Sequence, residues 1–555
     1  MKAPVLPILG LVFASCIAGC SDDSSGGGAR GATALLPCTK NQASPQAVID
    51  SLVPSVSRVE ARQRLADEYG DGFRVQGSDA EIGYLSRLAA ELTALGATDV
   101  RIEPYAFPSF TVNGTSLSVV QGASPGPVRV AGFVPNSGTT GPAGVEAPAI
   151  YLGALGDVNA VAALTAALSE QDPGNVLLGL QRVLDGLASP SVPAVIAGAN
   201  VSGQIVVYDV PKIGIPLSLL YATALNVNNS SGTMSPGQTI IYVVGQLALT
   251  GYVNEALHAA GAVGALGIID WPVPASDGTY NPFGPVLSPA SIPALFLDRD
   301  TGAAVKQQIS DGGAIPPHLR LTLDATRRPA TTSYNVSTLV PGSCPGEVLV
   351  SSHSDGPNSI EDDGPAAILS IVDYFLNAPA EQRLRPLRIV FTGGHMETDG
   401  GGSPGIQAYM AAHDAELSKT LTAFEIEHVG AREWVELSPG MMGLSGRSEV
   451  QVIFSNAGPV QQQELVIYSQ AFDRSFALVP GPMSIFGESR QWFTTASVPL
   501  IQFLTGPLYL LNGPMLRVSD EFTDYELERR QIAAFIQMIL NLNTHAPADL
   551  RPGID

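Results

Sequence analysis

The sequence predicts an α/β fold: a mixed, largely parallel sheet with helices on both faces, interrupted by a β-rich insert. Three observations predict it. From 333 to 548, short β-branched runs alternate with amphipathic helical stretches, the rhythm of βαβ units. From about 125 to 325 the chain is poor in charge and rich in Gly, Pro and β-branched residues. Polar residues of metal-ligating type collect just after strands of the alternating region, where sheets of this kind bind ligands.

The elements follow in order. Val48, Leu52, Val56, Val59 and Leu65 recur at helical spacing, which predicts a helix over 47–69. Ser78-Asp79 caps a second helix with an apolar stripe of Ile82, Leu85, Leu88, Leu92 and Leu95, ended by Gly96. A strand begins at Val100. In the insert, Ile205–Tyr208, the run into Ile269, Ile292–Leu297 and Leu319–Leu323 read as strands, 301–310 as a helix, and about 156–188 as an extra helical segment. Beyond it, Glu347–Ser352, Leu387–Phe391 and Thr422–Glu427 are strands. Pro365–Phe375, Gly405–Ala415 and Glu526–Leu542 are helices.

Composition narrows the function. The 555 residues suggest about two to four domains. Hydrophobic residues make up 45% and charged residues 14%, so large cores are available. The net charge is -22, from 29 basic and 51 acidic residues, and no basic run exists. That argues against a nucleic-acid partner. No apolar stretch of membrane-spanning length follows the N-terminus, which excludes a polytopic membrane protein.

The N-terminus reads as an address. A short apolar run, Val5 to Ala14, leads into Ile17-Ala18-Gly19-Cys20, which resembles a bacterial lipoprotein signal. The resemblance implies lipidation of Cys20, removal of 1–19, and a flexible tether over 20–45. An ordinary secretory signal cut nearby is the alternative. Ser21 after the cysteine favours the outer membrane or cell surface, with the membrane met only through the lipid. Cys38 and Cys344 are then the remaining thiols in an oxidising compartment and are expected to form a disulfide.

The strand ends carry the chemistry. After one strand stands His353-Ser354-Asp355, followed by Glu361-Asp362-Asp363-Gly364 opening a helix. After the next is Gly393-Gly394-His395-Met396-Glu397, and after another Glu427-His428-Val429-Gly430. Imidazoles and carboxylates converging from separate strand ends suit a divalent metal. Each also has a plainer reading: a solvated loop, a helix N-cap pair, or surface residues.

The run "VLVSSHSDG … EDDGPAAIL … LRIVFTGGHMETDGGGSPGIQAYM … FEIEHVG" resembles the co-catalytic zinc aminopeptidases, relatives of glutamate carboxypeptidase and the transferrin receptor. The resemblance covers about 46–120 and 332–548, within peptidase-like domain segments expected at 46–124 and 329–555. The insert, 125–328, resembles a protease-associated domain in its order "GQIVVYD … AAGAVGALGIID … IPALFLDRD". It implies a zinc-exopeptidase-like sheet with His353, Asp362 and Glu427 as metal ligands, and Asp355 as the carboxylate that orients His353. It implies zinc as cofactor and a peptide or small amide as substrate.

The rest departs from the family. Where a Glu-Glu pair is expected, one register places His395-Met396 and the other Met396-Glu397. His395 and Glu397 are therefore the candidate bases. Arg490 stands where the family's last histidine is expected, as a plug or substrate contact, so one ion is expected rather than two. Two functions follow: a cell-surface metallohydrolase of altered or weak peptidase activity, or a non-catalytic binding lipoprotein on the same scaffold.

Overall fold

The computed structural model describes residues 45–65, 73–155, 191–212, 214–241, 243–280, 291–313, 315–379, 383–395, 403–479, 489–512 and 521–554. The signal and tether with Cys20 and Cys38, the segment read as helical near 156–188, and Met396 and Glu397 lie outside the described residues. Among the described residues, no helix is long and apolar enough to cross a membrane.

The architecture is α/β. Strands Leu387–Thr392, Glu347–His353, Thr420–Ile426 and Leu500–Leu504 lie side by side in parallel register. Their runs of Val, Ile, Leu and Phe are buried on both faces, as central parallel strands must be. Helix Asp363–Asn377 packs on this sheet through Ile368, Ile371, Val372 and Phe375. Helix Tyr525–Leu542 buries Ile532, Phe535, Ile536, Ile539 and Leu542, a clean i, i+3, i+4 face, and is capped by Asp524.

The second expected helix spans Asp79–Ala94, with the Ser78 side chain accepting from the Glu81 amide at 3.2 Å. The first breaks into Pro45–Leu52, a turn at Val53–Ser55, and Val59–Gln63. Pro54 has no N–H to continue the ladder, and Arg58 adopts a left-handed φ of 59°.

One feature organises the whole chain. Strands Thr98–Gln121 and His318–Val340 pair antiparallel from Thr98↔Leu339 to Gln121↔His318. The sequence signalled only the ends of this ribbon. Residues 336–340 of the second strand join the central sheet, and residues 318–321 pair with strand Val145–Ala154. The stretch read as a β-rich insert thus hangs on a shared strand. Its strands Val145–Ala154, Ile205–Val210, Gly264–Ile269 and Ala294–Leu297 run parallel, with helices Val243–Ala259 and Arg299–Gly312 among them.

Candidate metal centre

The carboxyl ends of three neighbouring parallel strands meet at one place. His353 ends its strand, Gly393-Gly394-His395 follow the Thr392 strand, and Glu427-His428 follow the Ile426 strand. The 3₁₀ turn Ser359–Asp362 then brings in the acidic run. Its entry is fixed by Asn358, whose side chain accepts from the Ile360 amide and donates to the carbonyls of Tyr509, Leu510 and Asn512 at 2.9–3.0 Å. Gly364 is required behind it: a Cβ there would lie 2.3 Å from the Ile426 carbonyl oxygen.

Two imidazoles are held alike. His353 Nδ1 lies 2.9 Å from the Asp355 carbonyl, and His428 Nδ1 lies 2.9 Å from the Thr505 carbonyl. A carbonyl only accepts, so each Nδ1 is assigned the proton. In the neutral rings each Nε2 then presents a lone pair. Both Nε2 atoms face the same atom, Oε2 of Glu361, at 3.2 Å each. Two lone pairs against a carboxylate oxygen repel unless a proton or a cation joins them.

The electrostatics show that protons alone do this only by half. Burial holds His353 well below the usual histidine range, helped by the charges of His395 and His428. Burial also pulls His428 down, but Glu361, Glu427 and Asp363 outweigh it and raise it to about 10. Protonated His428 therefore donates to Glu361, while His353 faces the same oxygen bare. Burial raises Glu427 to about 7, with Glu361 adding to the rise and His428 opposing it. Burial likewise holds Asp363 well above the carboxylate range, and among the described residues neither of its oxygens has a hydrogen-bond partner.

The donor set fits a divalent ion. Ligand atoms of His353, Glu427 and His428 lie within 4.8 Å of one another, all buried, and Glu361 stands between the imidazoles. Two imidazoles with carboxylates are ordinary zinc ligands.

The structure places the expected residues differently. The described contact of Asp362 is with a cation and not with the imidazoles. Asp362 forms a fully buried ion pair with Arg74, whose Nε also donates to the Ser354 carbonyl at 2.9 Å. Of the three adjacent acids, Glu361 meets both imidazoles, Asp362 turns to Arg74, and Asp363 opens the following helix close enough to act on His428. The carboxylate of Asp355 does not orient His353 either. Its backbone carbonyl does, while Oδ1 accepts from the amides of Gly394 and His395 at 2.9 and 3.1 Å. His395 stacks on His353 with centroids 3.7 Å apart, and His353, Asp355 and His395 form a second convergent group.

Arg490 begins a short helix, and among the described residues it makes no ion pair with a site carboxylate. The cation inside the constellation is Arg74. No motif marks it; only the tertiary bridge between Arg74 and Gly356 brings it there. Sequence reasoning also passed over Glu361 as a ligand, though it stood in the acidic run, and over His428, though it stood beside Glu427.

No protein-family model and no curated protein matches the sequence. Solved structures do. A peptidase M28 precursor from Shewanella amazonensis superposes with a TM-score of 0.58 at 17% identity, covering 92% of this chain and 98% of that one. The zinc aminopeptidase BSAP from Bacillus subtilis gives 0.54 at 14%, covering 90% and 98%. An aminopeptidase from Aneurinibacillus sp. strain AM-1 gives 0.52 at 14%, covering 91% and 97%. The chain shares the fold of these peptidases. The coverage extends through the insert as well as the central sheet.

Proposed function

We propose that the protein is a metal-dependent hydrolase of peptide or small amide bonds, of zinc-aminopeptidase ancestry, holding one zinc ion and carried on the bacterial cell surface by a lipid at Cys20. The observation that carries the chemistry is the convergence of two Nε2 atoms on Glu361, beside Glu427. His353, His428, Glu361 and Glu427 would hold the ion. When bound, zinc supplies a Lewis acid for a carbonyl oxygen and a means of ionising water near neutral pH.

The chain's own part is positioning and proton handling. The carbonyls of Asp355 and Thr505 fix the ring orientations of the two histidines. His395, stacked on His353 and outside the proposed ligand set, is the candidate to take and return a proton. One ion rather than two is supported by Arg74, a permanent charge that occupies Asp362.

The same buried pair supports a second reading, a non-catalytic binding protein in which Arg74 stands in for an ion. Metal analysis of the purified soluble form after zinc loading, with an aminoacyl-amide hydrolysis assay, separates the two. One ion per chain with turnover is expected. No ion would favour the binding protein, and two would refute the single-ion site.

A further inference from the structure

A cavity of about 300 Å³ lies where the insert meets the central domain, outside the constellation of histidines. That is the lower end of small-molecule pockets. The insert contributes Leu217, Met234 and Trp271 to its wall, and the hairpin Arg432–Ser438 with Met441–Ser448 contributes Trp434. Gly506 and Leu508 close it. They follow Thr505, whose carbonyl fixes His428, so the cavity adjoins the metal centre along the chain.

Its polar groups are unequal. Glu433 is paired with Arg474 at 2.6 Å and with Arg447 at 2.5 Å. Glu436 is paired with Arg299 at 2.6 Å. Glu449 is only 7% exposed, lines the cavity, and has no ion-pair contact among the described residues. Arg474, the cation that acts on it, is already committed to Glu433. Burial raises the Glu449 carboxyl to about 8, with Glu433 adding to the rise. Trp271 is 8% exposed, and among the described residues its indole N–H has no acceptor. Its ring already attracts a cation: Lys212, which is not part of the cavity wall, sits 4.0 Å from the centroid.

We propose that this cavity binds an organic cation with an apolar stem, its charge against Glu449 and its stem against the Trp271 and Trp434 indoles. An indole face is complementary to an alkylammonium or guanidinium group, and the Glu449 carboxyl, hydrogen-bonded by the backbone amides of Val450 and Trp434, gives up its proton as such a cation enters. The unsatisfied Trp271 N–H adds a place for an acceptor, such as a peptide carbonyl, on the same ligand. The basic side chain of a peptide and a free alkylamine both present this cation. The site stands independently of whether the metal centre is catalytic.

The test uses the full metal-loaded protein and reads binding, not turnover. Two of the three tryptophans line the cavity, so intrinsic fluorescence reports occupancy. Titration with n-pentylammonium and with a lysine-containing tripeptide amide should each give a saturable change, while n-pentanol and pentanoate should not. Tighter binding of the tripeptide assigns the site to peptide side chains, and equal binding assigns it to free amines. Glu449→Gln should weaken cation binding about tenfold or more, the scale of losing one partner of a buried charge pair. Ile241→Lys, at a half-buried wall position, should abolish it by placing a tethered ammonium in the cavity. Absence of a saturable change in the wild type, or equal responses to pentylammonium and pentanol, would overturn the proposal. So would unchanged affinity in a folded Glu449→Gln or Ile241→Lys protein. A failed hydrolysis assay would leave it standing.

Discussion

Exchanging the roles of two adjacent acids gives the sharpest test of the metal centre. Glu361→Gln keeps shape and hydrogen-bonding capacity but removes the charge that both imidazoles face at 3.2 Å. Asp362→Asn removes the charge that neutralises Arg74, with both side chains fully buried. The two substitutions should fail in different ways. Glu361→Gln should cost more metal affinity than the about 10–100-fold typical of losing a partner outside the ligand sphere, with the fold retained. Asp362→Asn should leave a buried, uncompensated guanidinium, at a cost of about 3–5 kcal/mol in stability, while folded protein still takes up metal. Replacing both partners, Arg74→Met with Asp362→Leu, should recover most of that loss, because an apolar pair avoids the desolvation of two charges. Zinc stoichiometry after dialysis, read beside urea unfolding of the same samples, measures both. If Asp362→Asn folds normally but loses its metal, and Glu361→Gln keeps it, the assignment of Glu361 is refuted.

Three further outcomes are expected. Cys20→Ser should release the protein from membranes, measured by fractionation; unchanged partitioning would reject lipidation. Thiol titration of the mature protein under denaturing, non-reducing conditions should find no free thiol if Cys38 pairs with Cys344, a link that entropy models value at about 4–5 kcal/mol; two free thiols would reject it. Burial raises Glu464 to about 7 despite its bond from Asn541 at 3.0 Å. From about pH 4.5 to about 7 its folded form therefore holds a proton that the unfolded form lacks, and stability falls as pH rises, by up to about 1.4 kcal/mol per unit. Glu464→Gln should make the fall of urea-unfolding stability with pH shallower across that window, the other buried carboxyls keeping their share; an unchanged slope would show the carboxyl to be ionised in the fold.

What the sequence disclosed and what it hid divide along a physical line. The central strands were legible because both faces are buried, so their apolar runs are continuous and short. Helix Tyr525–Leu542 was legible because one face is buried and the period survives. The meeting of His353 and Glu427 was legible because one ends a strand and the other directly follows one, and strand ends of a parallel sheet converge by topology. Arg74 was not, because its role depends on a contact with a residue far along the chain. The choice among Glu361, Asp362 and Asp363 was not, because it depends on where the 3₁₀ turn gives way to the helix, and nothing in three adjacent acids reveals that junction. The shared ribbon was missed for a related reason. Thr98–Gln121 alternates polar and apolar residues irregularly, with register shifts such as that between Phe107 and Ser109, so no single period runs its length.

Arg74 also bears on what the metal does for the structure. Its Nε holds the Ser354 carbonyl, its backbone pairs with Gly356, and its guanidinium holds Asp362. These contacts bracket the loop that aims Glu361 at the two imidazoles. Where carboxylates surround a metal directly, the ion itself often supplies that bracket, and its removal loosens the loop. Here a covalently attached cation supplies it, so the geometry of 354–362 is preorganised before any ion arrives. Zinc removal by chelation should therefore leave hydrogen exchange of the 354–362 amides nearly unchanged, apart from the global stabilisation that any tight ligand confers by mass action. Arg74→Met with Asp362→Leu should make the same amides exchange faster in the metal-free protein and slow again on zinc loading. Fast exchange of this loop in the metal-free wild type would show that the ion, and not Arg74, sets the position of Glu361.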